Sequence, residues 1–254
     1  MFVETIDTYE AVDLFDQFMR PDPKIRILRL VGDAKMGKSH LLTKVFPELV
    51  HQRYHARCAV LDLRNRMHTV PDILHMASSL LEVKNFDGYF AAHREWSNRP
   101  QVKAEGVYAF VSSLKITGRG SADEAQARDR DLTTQFVKDL DKLNDRLLLL
   151  LFDSVNEAAE SMQIWLMDTF LVSVSQLPHV RVIVAGRSLP GAHGSYTLFC
   201  KSYRLQAITE VEEYITYCKK LNAMLGEQSI RDFAYACDYI PGMFVDLVYP
   251  KFMK

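Results

Sequence analysis

The segment Ile25–Ser39, IRILRLVGDAKMGKS, decides the fold of this 254-residue chain. An apolar run of the kind found in β-strands leads directly into the pattern G-x-x-x-x-G-K-[ST], and residues 38–50 then show helical periodicity. Gly32 and Gly37 allow the backbone to wrap closely around an anion, and successive N–H groups at the start of the helix point toward it. The segment therefore predicts a phosphate-binding loop between a strand and a helix.

The residue types within this loop point to a nucleotide as ligand and to Mg²⁺ as cofactor. Lys38 brings a positive charge to the β- and γ-phosphates, and the Ser39 hydroxyl is a ligand that suits Mg²⁺. The sequence contains no N-K-x-D motif of the kind that recognises guanine, which favours ATP/ADP. We assign nucleotide binding to the loop and to the residue after it: Gly32, Asp33, Ala34, Lys35, Met36, Gly37, Lys38, Ser39 and His40.

A carboxylate follows the second strongly apolar run, Leu147–Phe152. In open α/β sheets, ligands bind at the carboxyl ends of the strands, so Asp153 is predicted to hold Mg²⁺ together with Ser39. Glu157 lies four residues further on, where a carboxylate can orient or deprotonate an attacking water. The alternatives are a helix N-cap for Asp153 and a solvated side chain for Glu157.

Two further positions are predicted to contact the nucleotide. The apolar run Val180–Ala185 ends close to Arg187, whose guanidinium can reach a γ-phosphate, and a surface arginine is the alternative. Arg181, at the opposite end of that run, is expected to be exposed. Pro241 interrupts the last helical stretch and can pack on an adenine face, and a simple break between two helices is the alternative.

Strand and helix patterns alternate along the chain, which predicts an α/β fold with a mostly parallel central sheet flanked by helices. We expect a nucleotide-binding domain over residues 1–207, with a helix at 3–20 packed on it, and a C-terminal helical lid over residues 208–254. Thr69 is the expected N-cap of a helix at 70–83. The polar stretch 117–130 is the expected mobile loop.

Composition argues against several classes of protein, namely dedicated nucleic-acid binders, disulfide-linked or zinc-binding proteins, and secreted or membrane proteins. With 48% hydrophobic residues, 25% charged residues and a net charge of −1, the chain lacks the basic surplus of a dedicated nucleic-acid binder. The four cysteines show no C-x-x-C pairing, which favours buried thiols over disulfides or zinc ligands. No signal peptide or membrane span is evident, so a cytoplasmic protein is expected.

Taken in order, these features resemble the STAND class of P-loop ATPases, which are signalling switches related to AAA+ and NACHT modules. Asp153–Ala158, DSVNEA, is similar to the second motif of that class, and Val182–Arg187, VIVAGR, to its sensor strand. Leu205–Tyr214 resembles the start of its helical lid, and Tyr239–Pro241 falls at its adenine-contacting G-x-P motif. Asn156 replaces the first of the usual paired acids, and Tyr239 replaces the usual glycine.

The resemblance implies a switch that is compact with ADP and opened by ATP, with homo-oligomer formation in the ATP state. It also implies protein partners, or sensor and effector domains outside this chain. Three activities are compatible with the residues: ATP hydrolysis, nucleotide binding without hydrolysis, which Asn156 favours, and phosphoryl transfer to a small molecule. The last would use arginines from the polar stretch: Arg119, Arg128 and Arg130. In the empty loop we expect Lys38 to be exposed.

Overall fold

A five-stranded parallel sheet forms the centre of the molecule in a computed structural model that describes residues 9–20, 24–81, 83–99 and 119–252. The strands are β1 (Ile27–Val31), β2 (Arg57–Asp62), β3 (Leu148–Asp153), β4 (Val180–Gly186) and β5 (Cys200–Arg204). They lie in the order β2-β3-β4-β1-β5, and each neighbouring pair is parallel. The predicted α/β fold with a parallel sheet is confirmed.

The helices account for most of the remaining described residues. They are α1 (Tyr9–Phe18), α2 (Lys38–His40), α3 (Phe46–Leu49), α4 (Val70–Leu80), α5 (Asp87–Asn98), α6 (Arg119–Asp141), α7 (Glu160–Ile164), α8 (Leu171–Val174), α9 (Val211–Lys220), α10 (Glu227–Ala236) and α11 (Pro241–Phe252). π-helical turns continue α2 into α3 (Leu41–Val45), extend α3 (Val50–Tyr54) and join α7 to α8 (Trp165–Phe170). Short 3₁₀ segments cover Val83–Asn85, Val155–Glu157 and Ser195–Phe199.

Strands β3 and β4 are buried along their whole length, as expected for apolar strands covered on both faces. Successive side chains of β3 alternate between two apolar layers: Leu148, Leu150 and Phe152 contact one layer, and Leu149 and Leu151 contact the other. Helices α4 to α8 cover the first layer. Helices α1 and α3, with the π-helical turn that precedes α3, cover the second. The sheet is therefore the middle layer of three.

Helix α4 begins as the sequence predicts. The Asp72 N–H donates to the Thr69 hydroxyl at 3.4 Å, and the Thr69 N–H donates to the Asp72 carboxylate at 2.8 Å. This capping box satisfies two N–H groups that the first helical turn would otherwise leave unpaired.

Two expectations about the fold are wrong. Residues from Arg119 onward form the long helix α6 rather than a mobile loop, because Ala, Glu, Gln and Arg are strong helix formers and the polarity belongs to exposed helix positions. Thr117 and Gly118 lie outside the described residues.

The second wrong expectation concerns Arg181, which is 1% exposed rather than solvated. Its guanidinium donates to the Phe18 carbonyl at 3.0 Å and to the Arg20 carbonyl at 3.2 Å, where the end of α1 leaves carbonyls without intrahelical partners.

The last three helices, α9 to α11, pack around an apolar cluster of their own. Tyr214, Cys218, Ile230 and Phe244 are its most buried members together with Ala234 and Val248. The four cysteines are free thiols, buried or half-buried as expected. No helix in the described ranges has both the length and the apolar character that a membrane crossing requires.

Candidate functional site

The loop between β1 and α2 has the strand–turn–helix context that its motif requires. The Gly32 N–H donates to the Gly186 carbonyl at 3.3 Å, which ties the start of the loop to the end of β4. Gly37 has a φ of 88°, a left-handed conformation that L side chains disfavour, immediately before the first helical residue. Leu41 N–H then donates to the Gly37 carbonyl at 2.9 Å and begins the helical bonding.

Lys38 is folded into this loop. Its ammonium donates to the carbonyls of Gly32 and Asp33, each at 2.6 Å, and the residue is 9% exposed. The expectation of an exposed Lys38 is therefore wrong, because the curled loop offers the ammonium two carbonyl acceptors. Burial lowers the pKa of Lys38, the Asp153 carboxylate opposes that shift, and the Arg187 charge adds to it. The structure thus places these three charges within electrostatic reach of one another.

Asp153 ends the buried strand β3 and is 2% exposed. It pairs in register with Asp62 of β2, and its side chain accepts a hydrogen bond from the Ser154 N–H at 2.7 Å. Ser39 lies exposed in the first turn of α2. A carboxylate and a hydroxyl are hard oxygen ligands, and Mg²⁺ usually takes one or two such protein groups together with phosphate oxygens and waters. The donor set fits Mg²⁺, and no group of three His, Cys, Asp or Glu side chains in the described ranges is arranged as a self-contained metal site.

The ends of β3 and β4 are linked through Asn156. Its side-chain carbonyl accepts a hydrogen bond from the Arg187 N–H at 2.8 Å, and a Cβ atom at Gly186 would lie only 2.8 Å from the same oxygen. The Arg187 guanidinium in turn lies 3.6 Å from the Glu157 carboxylate. Glu157 and Arg187, predicted from separate segments, are therefore in contact, and the linking role of Asn156 is one that the sequence did not indicate.

A pocket of about 420 Å³ adjoins the loop. Met36, Gly37 and His40 line it on the loop side, and Pro241 and Val245 line it on the α11 side. The remaining lining residues come from α1, the turn after α2, β5 and the segment after it, α9 and α11: Glu10, Ala11, Leu41, Tyr203, Leu205, Gln206, Ala207, Ile208, Thr209, Glu210, Tyr217, Gly242 and Asp246. The predicted residue Pro241 thus borders the pocket. Tyr203 was not predicted because β5 carries no apolar run. Glu10 of α1 was not predicted because its link to the pocket, the hydrogen bond that it accepts from the Tyr203 hydroxyl at 2.9 Å, joins segments that are distant in the sequence.

Helix α11 makes direct contact with the loop through Lys35. The Gly242 N–H donates to the Lys35 carbonyl at 2.8 Å, and the Lys35 ammonium pairs with Asp246 at 2.6 Å. A Cβ atom on Gly242 would lie 2.5 Å from the Lys35 carbonyl oxygen, so this close approach requires a glycine. The loop and the C-terminal helices are therefore joined at the mouth of the pocket.

Comparison with known proteins identifies the fold. No protein-family model and no curated protein matches the sequence. The Walker-type ATPase PABY2304 of Pyrococcus abyssi aligns over 96% of this chain and 66% of its own, with 16% identity and a TM-score of 0.50. Cdc6p from Pyrobaculum aerophilum aligns over 98% of this chain and 62% of its own, with 13% identity and a TM-score of 0.61. The chain thus spans less than two thirds of either structure. It has the fold of the P-loop ATPases, a mostly parallel sheet flanked by helices.

Proposed function

We propose that this chain binds Mg²⁺–ATP, hydrolyses it, and uses the nucleotide state to control the position of the C-terminal helices. The observation that carries the proposal is the convergence of Lys38, Asp153, Glu157 and Arg187 at the carboxyl edge of the sheet, beside the pocket that α11 borders. The pocket has a volume within the range of small-molecule sites, which is about 300–1,000 Å³. It is thus large enough for an adenosine moiety.

In this proposal the triphosphate lies on the loop and the base enters the pocket. The backbone N–H groups of residues 33–39 and the start of α2 bind phosphate oxygens. The Lys38 ammonium exchanges its bonds to the Gly32 and Asp33 carbonyls for bonds to the β- and γ-phosphates, which are stronger because both partners are charged. Pro241 and Met36 supply apolar surface to the adenine.

Ser39 and Asp153 would hold the metal ion, which neutralises charge on the β- and γ-phosphates when bound. The Glu157 carboxylate orients a water for in-line attack and accepts its proton. A bond forms between the water oxygen and the γ-phosphorus as the bond to the β-phosphate bridging oxygen breaks, which yields ADP and inorganic phosphate. Lys38 and Arg187 stabilise the negative charge on the transferred group.

Arg187 and Lys35 would transmit the presence or absence of the γ-phosphate to the C-terminal helices. The γ-phosphate competes with Glu157 for the Arg187 guanidinium, which is now 3.6 Å from the carboxylate. A shift of the loop is passed to α11 through the contact between the Lys35 carbonyl and the Gly242 N–H. From the resemblance to the STAND class we propose that this coupling serves a cytoplasmic signalling or defence protein, with protein partners or ATP-dependent homo-oligomers.

Phosphate release at saturating Mg²⁺–ATP tests the proposal. We expect measurable turnover by the wild type and a loss of about 10²-fold or more in Glu157→Gln, which keeps the shape but removes the base. Glu160→Gln, an exposed carboxylate three residues further on, is the matched control and should retain full turnover. A thermal-shift panel of nucleotides should show ATP binding to all three proteins.

One observation favours a second function, nucleotide binding without hydrolysis. Asn156 stands where the STAND resemblance places the first of two paired acids, and its side-chain oxygen already accepts a hydrogen bond from the Arg187 N–H. Tight ATP binding by the wild type with no phosphate release would establish this nucleotide-clamp function and contradict the ATPase.

A further inference from the structure

The loop after β2 lies beside the acidic strand end, although none of its residues has a role in the proposed site. Strands β2 and β3 pair in parallel so that Asp62 is opposite Asp153. The pairing continues past the end of β2, where the Leu63 N–H donates to the Asp153 carbonyl at 3.1 Å. The residues that follow are therefore carried toward the turn that bears Glu157.

Arg66 contacts this turn directly. Its Nε donates to the Glu157 carbonyl at 3.0 Å. Glu157 closes the short 3₁₀ segment, in which its own N–H donates to the Ser154 carbonyl at 2.9 Å. Ser154 has a φ of 59°, a left-handed conformation that is costly for a residue with a side chain. A strained turn of this kind persists where surrounding contacts hold it in place, and Arg66 supplies one.

The loop is folded so that Arg66 and Arg64 make different contacts. The Met67 N–H donates to the Asn65 side chain at 3.0 Å, and the His68 N–H donates to the Asn65 carbonyl at 3.1 Å. These bonds form a tight turn around Arg66. The Arg64 guanidinium instead pairs with Asp62, with its Nε 2.8 Å from the carboxylate.

We infer that Arg66 is a positioning residue for hydrolysis: its bond to the Glu157 carbonyl fixes the turn that aims the Glu157 carboxylate. The inference rests on the proposed ATPase function. An arginine suits the task because its planar guanidinium has donors in fixed directions. A shift of about 1 Å in a catalytic group can cost about 10²-fold in rate, so a single bond that fixes this turn affects turnover.

The test compares Arg66→Ala, Arg66→Lys and Arg64→Ala in a steady-state ATPase assay. Arg64 is a matched control because it lies in the same loop and its charge is within electrostatic reach of Asp153 and Glu157. We expect Arg66→Ala to lower kcat by about tenfold to 10²-fold while KM for ATP stays within about twofold of wild type. Arg66→Lys should recover part of kcat, and Arg64→Ala should keep kcat within about twofold of wild type.

Each alternative outcome has a distinct meaning. An unchanged kcat in Arg66→Ala, with an active wild type, overturns the inference and leaves the ATPase intact. Equal losses in Arg64→Ala and Arg66→Ala also overturn it, since charge rather than the bond would then be responsible. A raised KM with unchanged kcat overturns it by assigning Arg66 to substrate binding. An inactive wild type overturns the ATPase itself. Arg66 is exposed, so thermal melting should be unchanged in all variants.

Discussion

The Lys38 ammonium is the charge on which the proposed phosphate site depends, and two backbone carbonyls of its own loop hold it there. Burial lowers the pKa of Lys38, whereas a phosphate placed beside it would favour the charged form. Exchanging neutral carbonyls for anionic oxygens also strengthens the bonds that the ammonium makes. Neutral carbonyls therefore hold the Lys38 ammonium in the position where an anionic phosphate would bind it more strongly.

Replacement of this side chain tests the phosphate site. Lys38→Ala should weaken ATP binding by about 10²-fold or more, because it removes charge-assisted bonds worth about 1.5–3 kcal/mol each. The two bonds that it removes join a side chain to loop carbonyls and belong to no helix or strand, so the circular dichroism spectrum should stay close to that of the wild type. Affinity is measured by titration with a fluorescent ATP analogue.

Lys44→Ala is the control for this experiment, since Lys44 is an exposed lysine on the same helical stretch. It should bind the analogue as the wild type does. If Lys38→Ala bound with unchanged affinity, the assignment of the phosphate site would be wrong.

At the residue scale, a motif lets the sequence select candidate site residues, whereas a role that depends on a distant contact leaves no mark in the sequence. Lys38, Glu157 and Arg187 are predicted, and the structure brings their charges together. Arg181 donates to a backbone carbonyl 163 positions away, and Arg66 donates to one 91 positions away. A backbone carbonyl carries no sequence signal, so neither contact could be predicted.

At the scale of whole elements, strand order determines which groups meet. Strand β4 lies between β1, which leads into the phosphate loop, and β3, which delivers Asp153. Arg187 follows β4 and so stands between Lys38 on one side and Glu157 on the other. This placement explains why one arginine is within reach of both the ammonium and the carboxylate. In the proposed function, this placement makes Arg187 the residue that responds to a γ-phosphate.

The start of α4 offers a test of local stability. Thr69→Ala removes the capping box, so the free energy of unfolding should fall by about 1 kcal/mol. Urea denaturation followed by circular dichroism measures the change, with an unchanged denaturant slope. Ser79→Ala, an exposed position late in the same helix, should alter stability by no more than about 0.5 kcal/mol. Equal effects of the two substitutions would show that the cap does not stabilise α4.

Elements with a strong apolar pattern are predicted well, and the others are not. Strands β3 and β4 are uniformly apolar and lie in the middle of the sheet, as expected. Strand β5, CKSYR, lies at the sheet edge with Lys201 and Ser202 exposed, so no apolar run marks it. In the helical stretch 160–174, the run from Trp165 to Val172 is apolar at most positions, which obscures the 3.6-residue period.

Over the described part of the molecule, the buried apolar side chains form three separate clusters, and the helices that share a cluster form one packing unit. Two clusters lie on the faces of the sheet and share its strands, whereas α9 to α11 pack around a third. In the proposed function, this third cluster is the unit that would move when its contacts with the loop are broken. Two of those contacts involve Lys35: its carbonyl accepts a hydrogen bond from the Gly242 N–H, and its ammonium pairs with the Asp246 carboxylate. The mouth of the pocket is therefore the expected site of lid movement.

Gly242→Ala tests this coupling, because the added methyl would lie 2.5 Å from the Lys35 carbonyl oxygen and 2.8 Å from the Lys35 Cβ. The loop or the helix must shift, and the backbone bond of 2.8 Å between them is lost. A hydrogen bond of this kind contributes about 0.5–1.5 kcal/mol, so ATP affinity should fall by up to about tenfold. Gly226→Ala is the matched control in the same group of helices, since a methyl there meets nothing within 4 Å. Isothermal titration with Mg²⁺–ATP should find wild-type affinity for Gly226→Ala and weaker binding for Gly242→Ala. Equal affinities for both variants would mean that α11 contacts the loop without contributing to nucleotide binding.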